Sequence, residues 1–130
     1  MLNDLGIDYT KDPEGAKYSR AKIPVDANAA GVASIDAIWQ DLKDIKGLEK
    51  DCKTGKSLGY TGKSLIHPDQ ISTTHKIFYP TKSELLWAEK VCKSYLVSAK
   101  TGKGATTIEG KMIDEVHFKQ AETILKIAKN

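Results

Sequence analysis

Two stretches of the chain combine residue type and position into possible chemistry. "LIHPDQI", Leu65 to Ile71, sets a histidine and a proline at the end of a short apolar run. Such a run reads as a buried parallel strand. In α/β folds ligands gather beyond the carboxyl ends of those strands, where loops and helix N-termini converge. On that reading the backbone at Ile66 and His67 lines a pocket. The plain alternative is a strand-ending turn in which His67 bonds a neighbour. "EGKMIDE", Glu109 to Glu115, places Asp114 after an apolar pair and just before the last helix. A carboxylate there is either an ordinary N-cap or a proton carrier. Backbone N–H groups on a cap stabilise the anion and lower its pKa, whereas a proton donor wants a drier site that raises it.

A third stretch imitates a phosphate site. "TGKSL" occurs at 54–58 and again at 61–65. A phosphate loop needs Gly, four residues, then Gly-Lys-Ser/Thr, because the first Gly opens the turn whose N–H groups wrap the phosphates. Counting back from Gly62 finds Ser57, and from Gly55 finds Lys50, so neither copy fits. Asp36 lies inside an apolar run, so it must be paired or sit at a strand end. His75 and His117 stand alone and read as surface or packing residues. Asp41, Asp44, Glu49 and Asp51 read mostly as a solvated helix face. The sequence holds no catalytic triad, metal-binding cluster or dinucleotide fingerprint.

The elements that would carry these residues alternate. Asp12-Pro13-Glu14 predicts a helix start, running to Ala30 with Gly31 as its stop and Pro24 as a kink. "VASIDAIW", Val32 to Trp39, predicts a buried strand. A helix follows from about Asp44 to Leu58, with Leu48, Cys52, Gly55 and Leu58 on one face and Gly59 as its stop. "GKSLIH" predicts a second buried strand, and "MLNDLGI" the end of an earlier one. Strands alternating with helices imply a parallel sheet covered by helices. From Pro80 the texture changes. Thr81 and Glu84 form a capping box, and the helix after it carries Leu85, Ala88, Cys92, Tyr95 and Ala99 on one stripe. "TGKGATTIEGKMID" predicts a small hairpin. A last helix spans about Glu115 to Lys129 with Phe118, Ala121, Leu125 and Ala128 inward.

Length and composition bound the classes. The chain has 130 residues, 40% hydrophobic and 28% charged, as expected of one soluble globular domain. No apolar run is long enough to span a membrane, and the N-terminus shows no secretory pattern. Cys52 and Cys92 lack metal-type spacing and fit a reduced, cytoplasmic setting. The net charge is +3, but Arg20 is the only arginine and the lysines are spread out. Nucleic-acid surfaces cluster their basic residues and use arginine, so no nucleic-acid partner is expected.

Four segments together resemble a known family. "SIDAIWQDLKDIKGL", "LGYTGKSLIHPDQI", "IFYPTKSELLWAEKV" and "GKGATTIEGKMIDEVHFKQAETIL" follow one another with the order and spacing of the citrate lyase β-subunit-like family, within the HpcH/HpaI aldolase group. The resemblance implies a (β/α)₈ barrel, of which this chain holds the last two or three strands, plus a C-terminal helical lid with a small hairpin. Residues 1–79 would be the last βα units of an incomplete barrel, and residues 80–130 the lid. It implies a Mg²⁺-dependent carbon–carbon lyase acting on the CoA thioester of a hydroxy acid, of the malyl-, citramalyl- or citryl-CoA type. Asp114 matches the family's proton carrier, and Ile66 and His67 match its substrate-lining strand end. The lid of one subunit would cover the site of its neighbour in a homo-oligomer.

A complete barrel needs about 250 residues and eight strands. The family's magnesium-binding Glu and Asp and its substrate-binding Arg would therefore lie on an N-terminal part not found here, leaving no metal ligand on this chain. The chain then reads as a fragment, a truncated product or one half of a split enzyme, inactive until a complementary barrel half joins it. The alternative is a non-catalytic subunit that binds such a half through an unpaired strand edge.

Overall fold

The structure is a computed structural model that describes residues 6, 14–100, 102 and 104–129. The expected Asp12 cap with Pro13, and most of the expected early strand, lie outside the described residues. The chain divides between Phe78 and Tyr79 into two units.

In the first unit a short 3-10 turn, Glu14–Ala16, leads into helix α1, Lys17–Ala29. The helix ends at Ala30, and Gly31 takes the left-handed conformation (φ +69°) that a stop requires. Pro24 sits inside α1 and is buried. A proline cannot donate to the carbonyl four residues back, which here is that of Arg20. The Tyr60 hydroxyl fills the vacancy, donating to the Arg20 carbonyl at 2.9 Å. This external donor explains how a helix carries a proline in its middle.

Strand β1, Ile35–Asp36, pairs in parallel with β2, Gly62–Lys63, in the register Ile35–Gly62 and Asp36–Lys63. Flanking bonds extend the ladder, from Thr61 N–H to the Ser34 carbonyl (2.9 Å) and from Ser64 N–H to the Asp36 carbonyl (3.0 Å). Between the strands runs α2, Ile45–Leu58. Asp44 caps it by accepting from Gly47 N–H, and Gly59 ends it at φ 101°. Leu48, Cys52 and Gly55 are buried on one face, as the spacing predicts.

Both strands are shorter than their apolar runs, and β1 inverts the expected burial. Val32 and Ile35 are exposed while Ser34 and Asp36 are buried. The period of two turns Ser34 and Asp36 to the same side. Gly55 of α2 comes close to the Asp36 carboxylate, so that side is the helix-covered one. After β2 comes a helix the sequence reading did not anticipate, α3, Asp69–Phe78. It packs on α2, where the Lys56 ammonium donates to the Ile77 carbonyl (2.9 Å) and Cys52 Sγ meets Thr74 Oγ1 (3.7 Å).

The second unit is helix α4, Lys82–Lys100, a hairpin of β3, Thr106–Ile108, and β4, Lys111–Ile113, and helix α5, Glu115–Lys129. The capping box forms: Thr81 N–H donates to Glu84 Oε2 (2.7 Å) and Glu84 N–H to Thr81 Oγ1 (3.2 Å). The hairpin turns through Glu109 (φ 50°) and Gly110 (φ 77°), two positive φ values in succession. That pair matches the right-handed twist of the strands it joins. Ala88, Val91, Ile113 and Ala121 form the core, flanked by Trp87, Cys92, Ile108, Ile124 and Leu125. The inward stripe of α4 is rotated at its end from the predicted one. Ser98 is buried and Ala99 exposed, because the Ser98 hydroxyl donates inward to the Ala105 carbonyl at 2.8 Å.

Candidate functional site

The first unit is organised around four charges. Arg20, from α1, grips Asp36 with two nitrogens, Nε to Oδ1 at 3.0 Å and Nη2 to Oδ2 at 2.5 Å. Its Nη1 donates to Asp51 Oδ1 of α2 at 2.8 Å. Lys63 of β2 donates to Asp36 Oδ2 at 3.0 Å and to Asp51 Oδ2 at 2.5 Å. Two cations thus balance two anions across α1, β1, α2 and β2. The side chains of Asp36 and Lys63 are both 0% exposed, so each needs its partners. Burial alone would raise the Asp36 carboxyl, but the Arg20 bond and the Lys63 charge outweigh it and hold it below its ordinary value. Burial alone would lower Arg20, yet its bonds to Asp36 and Asp51 leave it raised.

This network also gives the repeated "TGKSL" a physical role. A Cβ on Gly55, in the first copy, would lie 2.6 Å from Asp36 Oδ2, so only glycine leaves room for that carboxylate under α2. In the second copy Lys63 closes the ion network from the paired strand. Both copies therefore meet at Asp36.

Beyond the strand ends lie Ile66 and His67. His67 accepts Asp69 N–H at Nδ1 (3.3 Å), the bonded turn foreseen as the plain alternative. Its side chain is 44% exposed and lies 3.5 Å from the Asp69 carboxylate. The residue that organises this end is one the sequence reading passed over. Gln70 is 1% exposed. Its Oε1 accepts from Ile66 N–H (3.1 Å), its Nε2 donates to the Trp39 carbonyl (2.9 Å), and its own N–H donates to the His67 carbonyl (3.1 Å). A polar residue opening a helix after "HP" is a faint signal, since most glutamines are exposed. Trp39 also borders a half-open groove of about 620 Å³ shared with Arg20, Gly47 and Asp51. Its indole N–H is buried and meets no acceptor among the described residues.

Asp114 belongs to the second unit and caps α5. Its Oδ1 accepts from Val116 N–H (3.0 Å) and His117 N–H (3.2 Å), and lies 2.7 Å from His117 Nδ1. These bonds, the His117 side chain first, hold the carboxyl below its ordinary value, so it rests as the anion. His117, read from sequence as a lone histidine, is thus the partner of Asp114. The three-residue spacing at a helix start was the available signal, because it is the spacing of a capping box.

Residues 8–130 match the C–C bond lyase family of the TIM-barrel fold, and the chain belongs to that family. It is a citrate lyase β-subunit-like protein. It is 37% identical to the mitochondrial citramalyl-CoA lyase of Rattus norvegicus over 124 residues, 95% of this chain and 37% of that protein. It is 33% identical to a citrate lyase subunit beta-like protein of Deinococcus radiodurans, covering 91% of this chain and 44% of that one. The whole chain superposes on the protein CitE of Mycobacterium tuberculosis, solved with magnesium, acetoacetate and coenzyme A, with a TM-score of 0.72 and 28% identity. It covers 49% of the CitE chain, so it spans less than half the length of each of these relatives.

The described residues do not offer a magnesium site. Among them no three His, Cys, Asp or Glu side chains converge. The buried Asp36 and the part-buried Asp51 are already neutralised by Arg20 and Lys63. No helix among the described residues is long and apolar enough to cross a membrane.

Proposed function

We propose that this chain supplies the substrate-lining strand ends and the proton carrier of a carbon–carbon lyase acting on the CoA thioester of a hydroxy acid, of the malyl-, citramalyl- or citryl-CoA type. The observation that carries the reading is the match of residues 8–130 to the C–C bond lyase family. On this reading residues 1–79 are the closing βα units of a barrel and residues 80–130 its lid. The remaining strands, with the magnesium ligands, come from a part that this chain does not cover. They are supplied by a complementary barrel half, and the completed barrels associate with one another as an oligomer of identical units. The free thiols Cys52 and Cys92 fit a reducing compartment, such as the cytoplasm or the mitochondrial matrix.

Cleavage breaks the bond between the thioester α-carbon and the carbinol carbon. The hydroxyl releases its proton to solvent and becomes a carbonyl. The bonding pair passes to the thioester as an enolate, and the α-carbon then gains a proton. Asp114 delivers that proton, and in the reverse condensation the same carboxylate removes it. Its resting anion is the form that the condensation needs. Enclosure by bound thioester strips water from the carboxyl and moves its pKa upward, towards the form that cleavage needs. The backbone at Ile66 and His67 lies along the thioester.

The test is complementation. The chain is mixed with the N-terminal segment of the rat citramalyl-CoA lyase that precedes the matched region, and citramalyl-CoA cleavage is followed. Activity from the mixture, absent from either piece alone, is expected. A mixture that forms a complex yet stays inactive would favour the non-catalytic subunit.

A further inference from the structure

We infer that Gln70 is a positioning residue that holds the thioester-binding strand end in shape. The inference deepens the reading just given and rests on Ile66 and His67 lining that site. Both strands stop early: β1 at Asp36 and β2 at Lys63. Past Ser64 no backbone bond is made between the two segments among the described residues. Yet Trp39 and Ile66 are tied together, because the amide of Gln70 spans them. Its Nε2 donates to the Trp39 carbonyl at 2.9 Å, and its Oε1 accepts from Ile66 N–H at 3.1 Å. An amide side chain carries one acceptor and one donor group, so it completes a ladder that two diverging strands have abandoned.

The same residue reaches His67 by a third route, its own N–H on the His67 carbonyl at 3.1 Å. Gln70 therefore fixes the backbone of both residues assigned to the pocket, and sets their spacing from the end of β1. It is 1% exposed, so water does not compete for these bonds and the amide has one useful orientation. The amide joins two strand-end segments at the place where α/β folds bind ligands. Gln70 acts through Ile66 and His67 and touches no reacting atom.

The experiment uses the full chain, acetyl-CoA as the probe, and nuclear magnetic resonance of backbone amides. In the native chain acetyl-CoA is expected to shift the amides of residues 64–67. Gln70→Met keeps the length and apolar volume and removes both side-chain bonds. It is expected to speed exchange of the Ile66 amide at least tenfold and to weaken acetyl-CoA binding about tenfold, with the protection of Leu48 and Cys52 unchanged. Gln70→Asn retains the amide on a shorter stem and is expected to fall between the two. Should Gln70→Met fail to fold, slow exchange of the Ile66 amide and the Gln70 side-chain amide in the native chain still supports the clamp. Fast exchange of both overturns it. If Gln70→Met frees Ile66 but leaves acetyl-CoA affinity within twofold, Gln70 is structural only and the inference fails. If the native chain shows no shift at 64–67, the assignment of Ile66 and His67 fails first, and the inference fails with it.

Discussion

The two units differ in what they bury beside their apolar side chains. Inside residues 14–78 Leu48, Cys52 and Tyr60 are buried with five polar groups, Ser34, Asp36, Lys63, Gln70 and Thr74. Inside residues 79–129 the core is Ala88, Val91, Ile113 and Ala121, and among the described residues Ser98 alone is a buried polar group. Directional bonds fix register and spacing, while apolar packing fixes volume and tolerates small shifts. The contrast suits the proposed division of labour. The first unit must hold backbone atoms at a strand end to a fraction of an ångström, and Asp36 facing Lys63 locks the β1–β2 register from beneath. The second must present Asp114 on a helix end and can rely on shape.

The largest test of this contrast is Lys63→Met. It leaves Asp36 and Asp51 facing Arg20 alone, and breaking a buried pair from one side costs about 3–5 kcal/mol. Native-state hydrogen exchange should show that loss at Leu48 and Cys52 and little change at Val91 and Ala121. Equal losses in both units would erase the distinction. Its counterpart is Val91→Ala, which removes two buried carbons and should cost about 2 kcal/mol. That cost should appear in the second unit's exchange, with Leu48 unaffected.

Acid sharpens the comparison further. The folded pKa values of Asp36 and Asp114 are both lowered from 3.8. A depressed carboxyl contributes its stability above the unfolded value and loses it as pH falls through the folded one. Losing the contribution of these two carboxyls should therefore weaken both units as pH falls below 3.8. The first should weaken more, because the Asp36 side chain is fully buried and its protonation strands Lys63 and Arg20. The smallest effect is expected in the second unit from Asp114→Ala, a fraying of α5 seen in helical circular dichroism, whereas Asp114→Asn keeps the cap.

Much of this was legible in the residues. Gly31, Gly59 and the Thr81–Glu84 box marked helix ends because caps and stops are local chemistry, whereas Asp44, read as part of a solvated face, caps α2. The hairpin declared itself through its glycines and the alternation of Thr107, Ile108 and Glu109. The strands were harder. An apolar run such as Val32 to Trp39 reads as buried on both faces, but only one face is covered here, and the covered face holds Ser34 and Asp36. The partners of Asp36 lie 16 and 27 residues away, so no spacing rule reveals them. Gln70 was missed for the same reason, as its importance lies in what it bridges. Asp114 was open between cap and proton carrier, and the geometry supplies the cap.

The central claim, that Asp114 carries the proton between solvent and the thioester α-carbon, is tested most directly by deuterium exchange. Acetyl-CoA is incubated in heavy water with the chain and its complementary barrel segment, and deuterium entering the methyl group is read by mass spectrometry. The account predicts wash-in with the native chain and its loss with Asp114→Asn, while the melting of α5 stays unchanged. Undiminished wash-in with Asp114→Asn would contradict it and leave Asp114 as a helix cap alone.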